Sequence, residues 1–308
     1  MAQFILRRML GVVPLILLIS FAVFIMMHLL PGDPVVAMLG ETGSMGAEEI
    51  QQFREQLGLD KPLILQYTSY LQGLLRLDFG MSIQLRLPVR ALIGQRLSST
   101  LQLAFAGLAL AVVLGVVLGA VSALNHNTWI DSIAVTIALL GVSIPSYWLG
   151  LMLISVFSVT LAWVPIAAVD GWQGLVLPAA TLGFAAAAPV ARFTRSGMLE
   201  VMSQDFVRTA RSKGLAQSRV TLRHVLRNAL IPVVTIAGIR FGSILAGTVI
   251  IESVFVRPGL GLLLLESIRT KDFLVVQGII LIVSVAFVLG NLLVEIIYTW
   301  LDPRIQYG

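Results

Sequence analysis

Long runs of apolar residues, separated by polar stretches, dominate the pattern of this chain. Because the hydrocarbon core of a bilayer is about 30 Å thick, a helix that crosses it needs about 20 mostly apolar residues. Six segments meet this requirement, and they are predicted as membrane-spanning helices: residues 9–30, 98–124, 129–160, 174–194, 229–251 and 274–301. The pattern therefore predicts an all-α polytopic membrane protein with six transmembrane helices.

The Lys and Arg residues next to these spans are distributed unevenly between the two sides. One side carries Arg7, Arg8, Arg192, Arg195, Arg208, Arg211, Lys213, Arg219, Arg223, Arg227 and Arg304. The short loops of the other side carry only Arg257, Arg269 and Lys271. By the positive-inside rule the first side is cytoplasmic, so both termini are expected in the cytoplasm.

Residues 31–97 form a polar segment between the first two spans that is too long to be a turn. Residues 47–59 have helical apolar spacing and end near Gly58, and residues 64–75 predict a second helix. We therefore predict two parts. Residues 1–97 hold the first transmembrane helix and a folded extracytoplasmic loop, and residues 98–308 form a five-helix core.

Composition supports a membrane protein and excludes several other classes. Hydrophobic residues make up 57% of the chain and charged residues 12%, against roughly 25% charged in soluble domains. The net charge is +5, and the basic residues cluster on one side of the spans without any nucleic-acid motif, so a nucleic-acid partner is not expected. The absence of cysteine excludes disulfides, and His28, His126 and His224 lack ligand spacing for a metal.

Residues 203–230 are unusual because they form a basic, amphipathic segment in an apolar chain. Ser203 is predicted to cap a short helix that ends at Gly214, and Ser218 a second helix with Leu222 on its apolar side. This segment has two readings. It could lie as an amphipathic helix in the lipid interface, or it could dock on a cytoplasmic partner.

Short motifs spread over the whole chain resemble a known family. They are Arg7-Arg8, residues 28–34 (HLLPGDP), residues 143–150 (SIPSYWLG), the basic segment with Arg208-Thr209-Ala210 and Gly214, residues 227–232 (RNALIP), residues 258–261 (PGLG) and residues 302–304 (DPR). In this order they resemble the B-type permease subunit of the binding-protein-dependent ABC importers for dipeptides, oligopeptides and nickel. The segment 203–230 resembles the cytoplasmic EAA loop of that family.

The resemblance implies a type I ABC importer permease fold in the cell inner membrane. It also implies four kinds of partner: a homologous C-type permease, two ABC ATPase subunits, an extracytoplasmic substrate-binding protein and a peptide substrate. ATP and Mg²⁺ would bind to the ATPases, because this chain has no G-x-x-x-x-G-K-[ST] loop to hold phosphates. The chain itself is expected to be no enzyme and to carry no cofactor.

The family's coupling helix is expected at residues 203–214, with the ATPase-coupling residues Phe206, Val207, Arg208, Thr209, Ala210 and Gly214. Phe206, Val207 and Ala210 would be its apolar anchors. Arg208 stands where the general family loop has Glu, and Arg227 where it often has Pro. Arg at these positions is familiar in the peptide branch of the family.

Arg240 lies near the middle of the fifth predicted span, where an arginine costs about 2.5–3.5 kcal/mol on insertion scales. It could pair with Glu295 of the sixth span, or it could line the substrate path together with Ser243 and attract a carboxylate. Glu252, Pro258 and Gly259 lie between the last two spans on the outer side. The resemblance makes them candidate contacts for the binding protein, and the plainer reading of Glu252 is an exposed charge in a turn.

The sequence thus predicts a permease subunit of an ATP-driven importer for dipeptides or oligopeptides. The same machinery could carry nickel chelate or glutathione instead. Two other classes of membrane protein remain as alternatives. A transporter or channel that works alone on an ion gradient would use residues 203–230 only as a lipid-surface helix. A membrane scaffold or insertase would have no path for a solute.

Overall fold

The computed structural model of the chain describes residues 2–29, 51–52, 54–55, 58–165 and 171–301, and it describes the side chains of all of these except residues 2–9, 295 and 297–301. The described part is helical. Its helices are α1 Ala2–Leu29, α2 Leu63–Leu75, α3 Val89–Leu124, α4 Trp129–Ser143, α5 Ser146–Leu153, α6 Gln173–Met202, α7 Asp205–Ser212, α8 Gln217–Arg219, α9 Arg227–Val254, α10 Leu260–Arg269 and α11 Phe273–Leu301. π-helical turns follow α5 at Ile154–Thr160 and α8 at Val220–Leu226.

Membrane-length helices occur where the apolar runs predict them, with one correction. Among the described residues, five helices are long and apolar enough to cross a membrane: Leu10–Leu29, Val89–Leu124, Gln173–Met202, Gln217–Val254 and Phe273–Val294. The predicted span 129–160 is instead two helices, α4 and α5, that meet at an angle of 104°. Five or six spans result, depending on whether this bent pair counts as one.

The break between α4 and α5 has a local cause in Pro145. Ile144 has extended backbone angles, φ −90° and ψ 125°, which is the conformation that a following proline favours. Pro145 is the N-cap of α5, directly before Ser146, where its missing N–H costs nothing. Pro178 and Pro189, by contrast, lie inside the continuous helix α6.

The helices extend beyond the apolar runs at several ends. Helix α3 begins at Val89 rather than residue 98, and α6 continues to Met202 rather than residue 194. Hydropathy marks the part of a helix that suits lipid, whereas the hydrogen-bonded backbone continues into polar flanks. One predicted helix of the polar loop forms as α2 at Leu63–Leu75. Of the other, predicted at residues 47–59, the described residues 51–52 and 54–55 are helical and Gly58 has a φ of +66°. The rest of residues 31–57 lies outside the described part.

The first compact unit comprises Met1–Ser98 and Pro258–Val288. Its core contains Val89, Leu92, Ile93, Leu260, Leu263, Val275 and Ile279. Within this unit the Gln277 side chain donates to the Val23 carbonyl at 3.1 Å, and Ser20 and Tyr67 share a hydrogen bond of 3.0 Å. Residues 258–288, which the predicted boundary after residue 97 assigns to the core, belong to this unit.

The second compact unit comprises Ser99–Arg257 and Leu289–Gly308. Helix α6 lies at its centre and packs against α4, α5 and α9. Glycines permit this close packing: a side chain at Gly141 would overlap the Phe184 carbonyl, and one at Gly238 would overlap Val294. These two glycines thus allow neighbouring helices to approach closely.

Candidate functional site

The basic segment 203–230 belongs to the second unit and folds onto it. Helix α7 is followed by Gly214 with φ +73°, the left-handed conformation predicted for that residue. Its core, here called the loop core, consists of Ala123, Met198, Val201, Val207, Ala210, Val220, Val225 and Ala229. The loop is therefore fixed to α3, α6 and α9 by apolar packing.

The apolar anchors predicted for α7 face two different ways. Val207 is completely buried and Ala210 is 9% exposed, and both belong to the loop core. Phe206 is 41% exposed. Since residues 206 and 207 differ by about 100° around a helix, the two neighbours cannot share a face. Val207 and Ala210 hold α7 in place, and Phe206 is available for a partner.

The predicted caps of this segment are wrong. Ser203 ends α6, where its hydroxyl donates to the Glu200 carbonyl at 2.7 Å, and α7 begins after Gln204 without a side-chain cap. Ser218 lies inside α8, which follows Ala216. Leu222 is 64% exposed rather than packed on the apolar side. The π-helical turn at Val220–Leu226 changes the spacing by which a regular helix would have buried it.

Polar residues cover the outer face of α7. Arg208, Thr209 and Arg211 are exposed, and Arg208 lies 3.9 Å from the Asp205 carboxylate one turn earlier. An exposed pair of this kind contributes little to stability. The outer face of α7 thus presents the Phe206 ring among exposed charged and polar side chains.

A partly buried ion pair joins α4 to α6. The Arg195 guanidinium donates from Nε to Asp131 Oδ1 at 3.0 Å and from Nη2 to Asp131 Oδ2 at 2.8 Å. Asp131 is 6% exposed and also accepts from the Ser122 hydroxyl and from the backbone N–H of Asn127. The main partner of Asp131 thus lies 64 residues away along the chain.

A cavity of about 760 Å³ opens beside this pair, between residues of α3, α4, α6 and α9. Its polar and charged lining residues are Ser122, Asp131, Ser132, Thr136, Arg192, Arg195 and Arg240. Much of the remaining wall is alanine and branched aliphatic side chains from α4 and α6. Its volume falls in the range of about 300–1,000 Å³ typical of small-molecule sites.

Arg240 lines this cavity and is half-buried. Ser243, the other candidate for the substrate path, is exposed and is not part of the cavity lining. The Glu295 side chain, the alternative partner for Arg240, lies outside the described residues. The structure therefore brings Arg240 together with Arg192, Arg195 and Asp131 rather than with Ser243.

Glu252 is not the exposed charge that its position between two spans suggests. It is fully buried, and its carboxylate accepts a hydrogen bond of 2.7 Å from the Thr100 hydroxyl. Arg257 is also buried, its guanidinium donates to the Gly174 carbonyl at 3.2 Å, and burial lowers its pKa while the nearby Glu252 charge acts in the opposite direction. Pro258 is exposed and Gly259 is buried. A surface contact through Glu252 is thus incompatible with this conformation.

Within the described residues, no group of three or more His, Asp or Glu side chains is arranged to hold a metal ion. The features that stand out are instead the fixed basic loop and the cavity with excess positive charge. Both lie in a unit built around membrane-length helices, which is the design of a solute-conducting membrane subunit.

Solved transporters share this fold. The inward-facing MetNI methionine ABC transporter matches 68% of this chain and 96% of its own chain with a TM-score of 0.56 and 18% identity. An amino acid ABC transporter solved with histidines matches 70% of this chain and 94% of its own with a TM-score of 0.51 and 17% identity. At these identities the likeness concerns the fold, that of type I ABC importer permeases.

The sequence gives the narrower assignment. Residues 115–307 match the family of binding-protein-dependent transport system inner membrane components, and residues 1–104 match the N-terminal family of the same membrane components. The chain belongs to this family and is a permease subunit of an ABC importer. The glutathione transport system permease protein GsiC of Escherichia coli K12 is 43% identical over 307 residues, the full length of both chains. The GsiC protein of Shigella flexneri serotype 5b shows the same identity and coverage.

Proposed function

We propose that this chain is one of two membrane subunits of an importer for short peptides, with glutathione, itself a tripeptide, among its substrates. Two findings support the substrate class. The relatives named as glutathione permeases align over the whole chain at 43% identity. The cavity beside Arg240 has the volume of a small-molecule site and an excess of positive charge, which suits a solute that carries carboxylates.

The rest of the transporter follows from the family. A homologous C-type permease completes the path, two ABC ATPase subunits bind and hydrolyse ATP with Mg²⁺, and a substrate-binding protein delivers solute from outside. This chain supplies translocation and no catalysis or cofactor. We place it in the bacterial inner membrane with both termini in the cytoplasm, as the distribution of Lys and Arg predicts. Pro258 and the residues near it remain the proposed contact for the binding protein.

The packing of α7 carries the proposal. Val207 and Ala210 lock this helix to α3, α6 and α9 through the loop core, while Phe206, Arg208 and Thr209 point outward. Because close-packed cores move as units, a displacement of α7 by an ATPase subunit would move the helices that line the cavity. A helix that merely lay in lipid would need no such attachment.

Transport then proceeds by alternating access. ATP-driven closure of the ATPases draws the coupling helices of the two permeases together and opens the path outward, and hydrolysis resets it. ATP binding can shift this equilibrium only if α7 makes different contacts with the ATPase in the two states.

Reconstitution tests the function directly. Proteoliposomes that contain both permeases and both ATPases, supplied with the binding protein, are expected to take up glutathione or dipeptides only with ATP and Mg²⁺. Competition between glutathione, dipeptides, longer peptides and chelated nickel ranks the substrates. Uptake by this chain alone on an ion gradient would refute the proposal, and transport of chelated nickel without any peptide would refute the substrate class.

The two neighbouring side chains of α7 are expected to differ in what they affect. Phe206→Ala should lower ATP-dependent uptake at least tenfold while leaving the thermal unfolding temperature of the permease nearly unchanged, because its ring is exposed. Val207→Ala should instead lower the free energy of unfolding by about 1–3 kcal/mol, because it leaves a cavity in the loop core. Unfolding of the purified permease and uptake by the reconstituted transporter measure the two effects.

Leu222→Ala provides the matched control, because Leu222 is an exposed apolar residue of the same segment that lies outside α7. It is expected to change neither quantity much. If Phe206→Ala left uptake at the level of Leu222→Ala, α7 would not be coupled to the ATPase through this side chain.

A further inference from the structure

The cavity of the second unit has more positive than negative charge. Three guanidinium groups, those of Arg192, Arg195 and Arg240, and one carboxylate, that of Asp131, belong to its lining. Arg195 is neutralised by its two hydrogen bonds to Asp131. Arg192 and Arg240 make no ion pair or hydrogen bond with the described residues, so two positive charges are left without a counter-charge from this part of the chain.

Of these two arginines, Arg240 is the one that is partly enclosed. Arg192 is exposed, whereas Arg240 is half-buried on α9. Two residues earlier, Gly238 packs directly against Val294 of α11, and this contact is too close to admit a side chain at residue 238. Positions 238 and 240 are about 200° apart around the helix, so α9 packs with one face and presents Arg240 with the other. The packing of Gly238 therefore fixes the face of α9 from which the Arg240 side chain extends.

The rest of the lining restricts what can bind there. Ala138, Ala188 and Ala191 form a small apolar cluster in the wall, while Ser132 and Thr136 are exposed hydroxyl residues of α4. Such a wall can bind the uncharged part of a small solute through apolar contacts and a few hydrogen bonds. Guanidinium is the side chain best suited to bind a carboxylate through two parallel hydrogen bonds.

We infer that this cavity is a carboxylate-binding site for solute in transit, with Arg240 as the group that binds the solute's terminal carboxylate. The inference rests on the proposed peptide-import function and adds the chemistry by which the membrane subunit itself selects its substrate. The Asp131–Arg195 pair forms one wall of the site and keeps the second guanidinium occupied. An uncompensated acidic group in the solute would consequently bind at Arg240 rather than at Arg195.

The test compares a tripeptide that has a free C-terminal carboxylate with the same tripeptide as its C-terminal amide. ATP-dependent uptake of each is measured in proteoliposomes with the complete transporter and with binding protein saturated by either peptide. For each variant, uptake of the acid is divided by uptake of the amide, and this ratio is compared with that of wild type. The preference of the binding protein cancels in this comparison. Arg240→Gln is expected to lower this ratio about tenfold, the effect of losing one charged hydrogen-bonded contact. Arg240→Lys should keep most of the preference.

Arg90→Gln is the matched control, because Arg90 is exposed at the start of α3 and is not part of the cavity lining. Its ratio should equal that of wild type. Retained uptake of the amide by Arg240→Gln shows that this variant folds and is driven by ATP. An unchanged ratio in Arg240→Gln overturns the inference. So does an equal loss of both peptides in Arg240→Gln and Arg240→Lys, which would assign Arg240 to a contact with another protein chain. If wild type takes up neither peptide with ATP, the proposed function itself fails.

Discussion

Arg195→Met is expected to lower the free energy of unfolding by clearly more than the replacement of an exposed arginine on the same helix. The substitution keeps much of the aliphatic packing but removes two hydrogen bonds and the counter-charge from the Asp131 carboxylate, which is 6% exposed. Breaking the pair is costly because the remaining Asp131 charge is uncompensated. The exposure of the Arg195 side chain, 29%, lets water reduce this cost. Unfolding of the purified permease in mixed micelles measures the change.

Arg192→Met is the control for this prediction. Arg192 lies on the same helix one turn earlier, is exposed, and makes no ion pair or hydrogen bond with the described residues. Its replacement should change the free energy of unfolding by no more than about 0.5 kcal/mol. The double variant Asp131→Asn with Arg195→Met should be more stable than Arg195→Met alone, because the buried charge is then gone. Equal effects of Arg195→Met and Arg192→Met would contradict the structural role of the pair.

The pattern of apolar runs is enough to predict most of the fold. Lipid requires long apolar helices, so the periodicity and length of each run locate its span. The exception is instructive. Residues 129–160 are mostly apolar, and Asp131 is their one charged residue, so hydropathy predicts a single span. Ile144 and Pro145 nevertheless divide the segment into two helices. Proline marks a possible helix break, but Pro178 and Pro189 lie within the continuous helix α6. A proline alone therefore does not show where a helix ends.

The sequence of α7 does not show which of its apolar side chains pack against the rest of this chain. Phe206, Val207 and Ala210 are all suitable for burial, and a sequence does not state whether this chain or a partner covers them. The fold resolves the ambiguity, because Val207 and Ala210 meet side chains of α3, α6 and α9 in the loop core. Phe206 lies about 100° away from Val207 and is outside that contact.

The pairs of charged residues show the same limit. Asp131 and Arg195 are 64 residues apart, but each lies near the end of a predicted span on the same side of the membrane, and their charges are opposite. These two features make the pair possible from the sequence alone. Many other pairs of opposite charge near the same membrane surface are equally possible. The partner of Glu252 is harder to predict, because Thr100 is uncharged and lies 152 residues earlier in the chain. Only the fold brings such groups together.

Gly119→Ala is expected to destabilise the permease by about 3 kcal/mol, the upper end of the usual cost of overpacking. A methyl group at residue 119 of α3 would overlap the Ala191 carbonyl oxygen of α6 and lie 2.7 Å from the Thr194 Cβ atom. The carbonyl belongs to a helical backbone and cannot turn aside as a flexible side chain could. The two helices must therefore separate along this contact, which is adjacent to Arg195. We expect lower yield of folded protein and a lower unfolding temperature.

Gly94→Ala tests whether this effect comes from the contact or from the substitution itself. Gly94 lies on the same helix, is exposed, and has no atom within 4 Å of the place where a side chain would begin. Here the same change should stabilise the protein by about 0.5–1 kcal/mol, because alanine loses less backbone entropy than glycine when a helix forms. The two variants are thus expected to differ in sign. If Gly119→Ala were neutral or stabilising as well, α3 and α6 could not pack as closely as the structure shows, and the wall of the cavity would have to be placed differently.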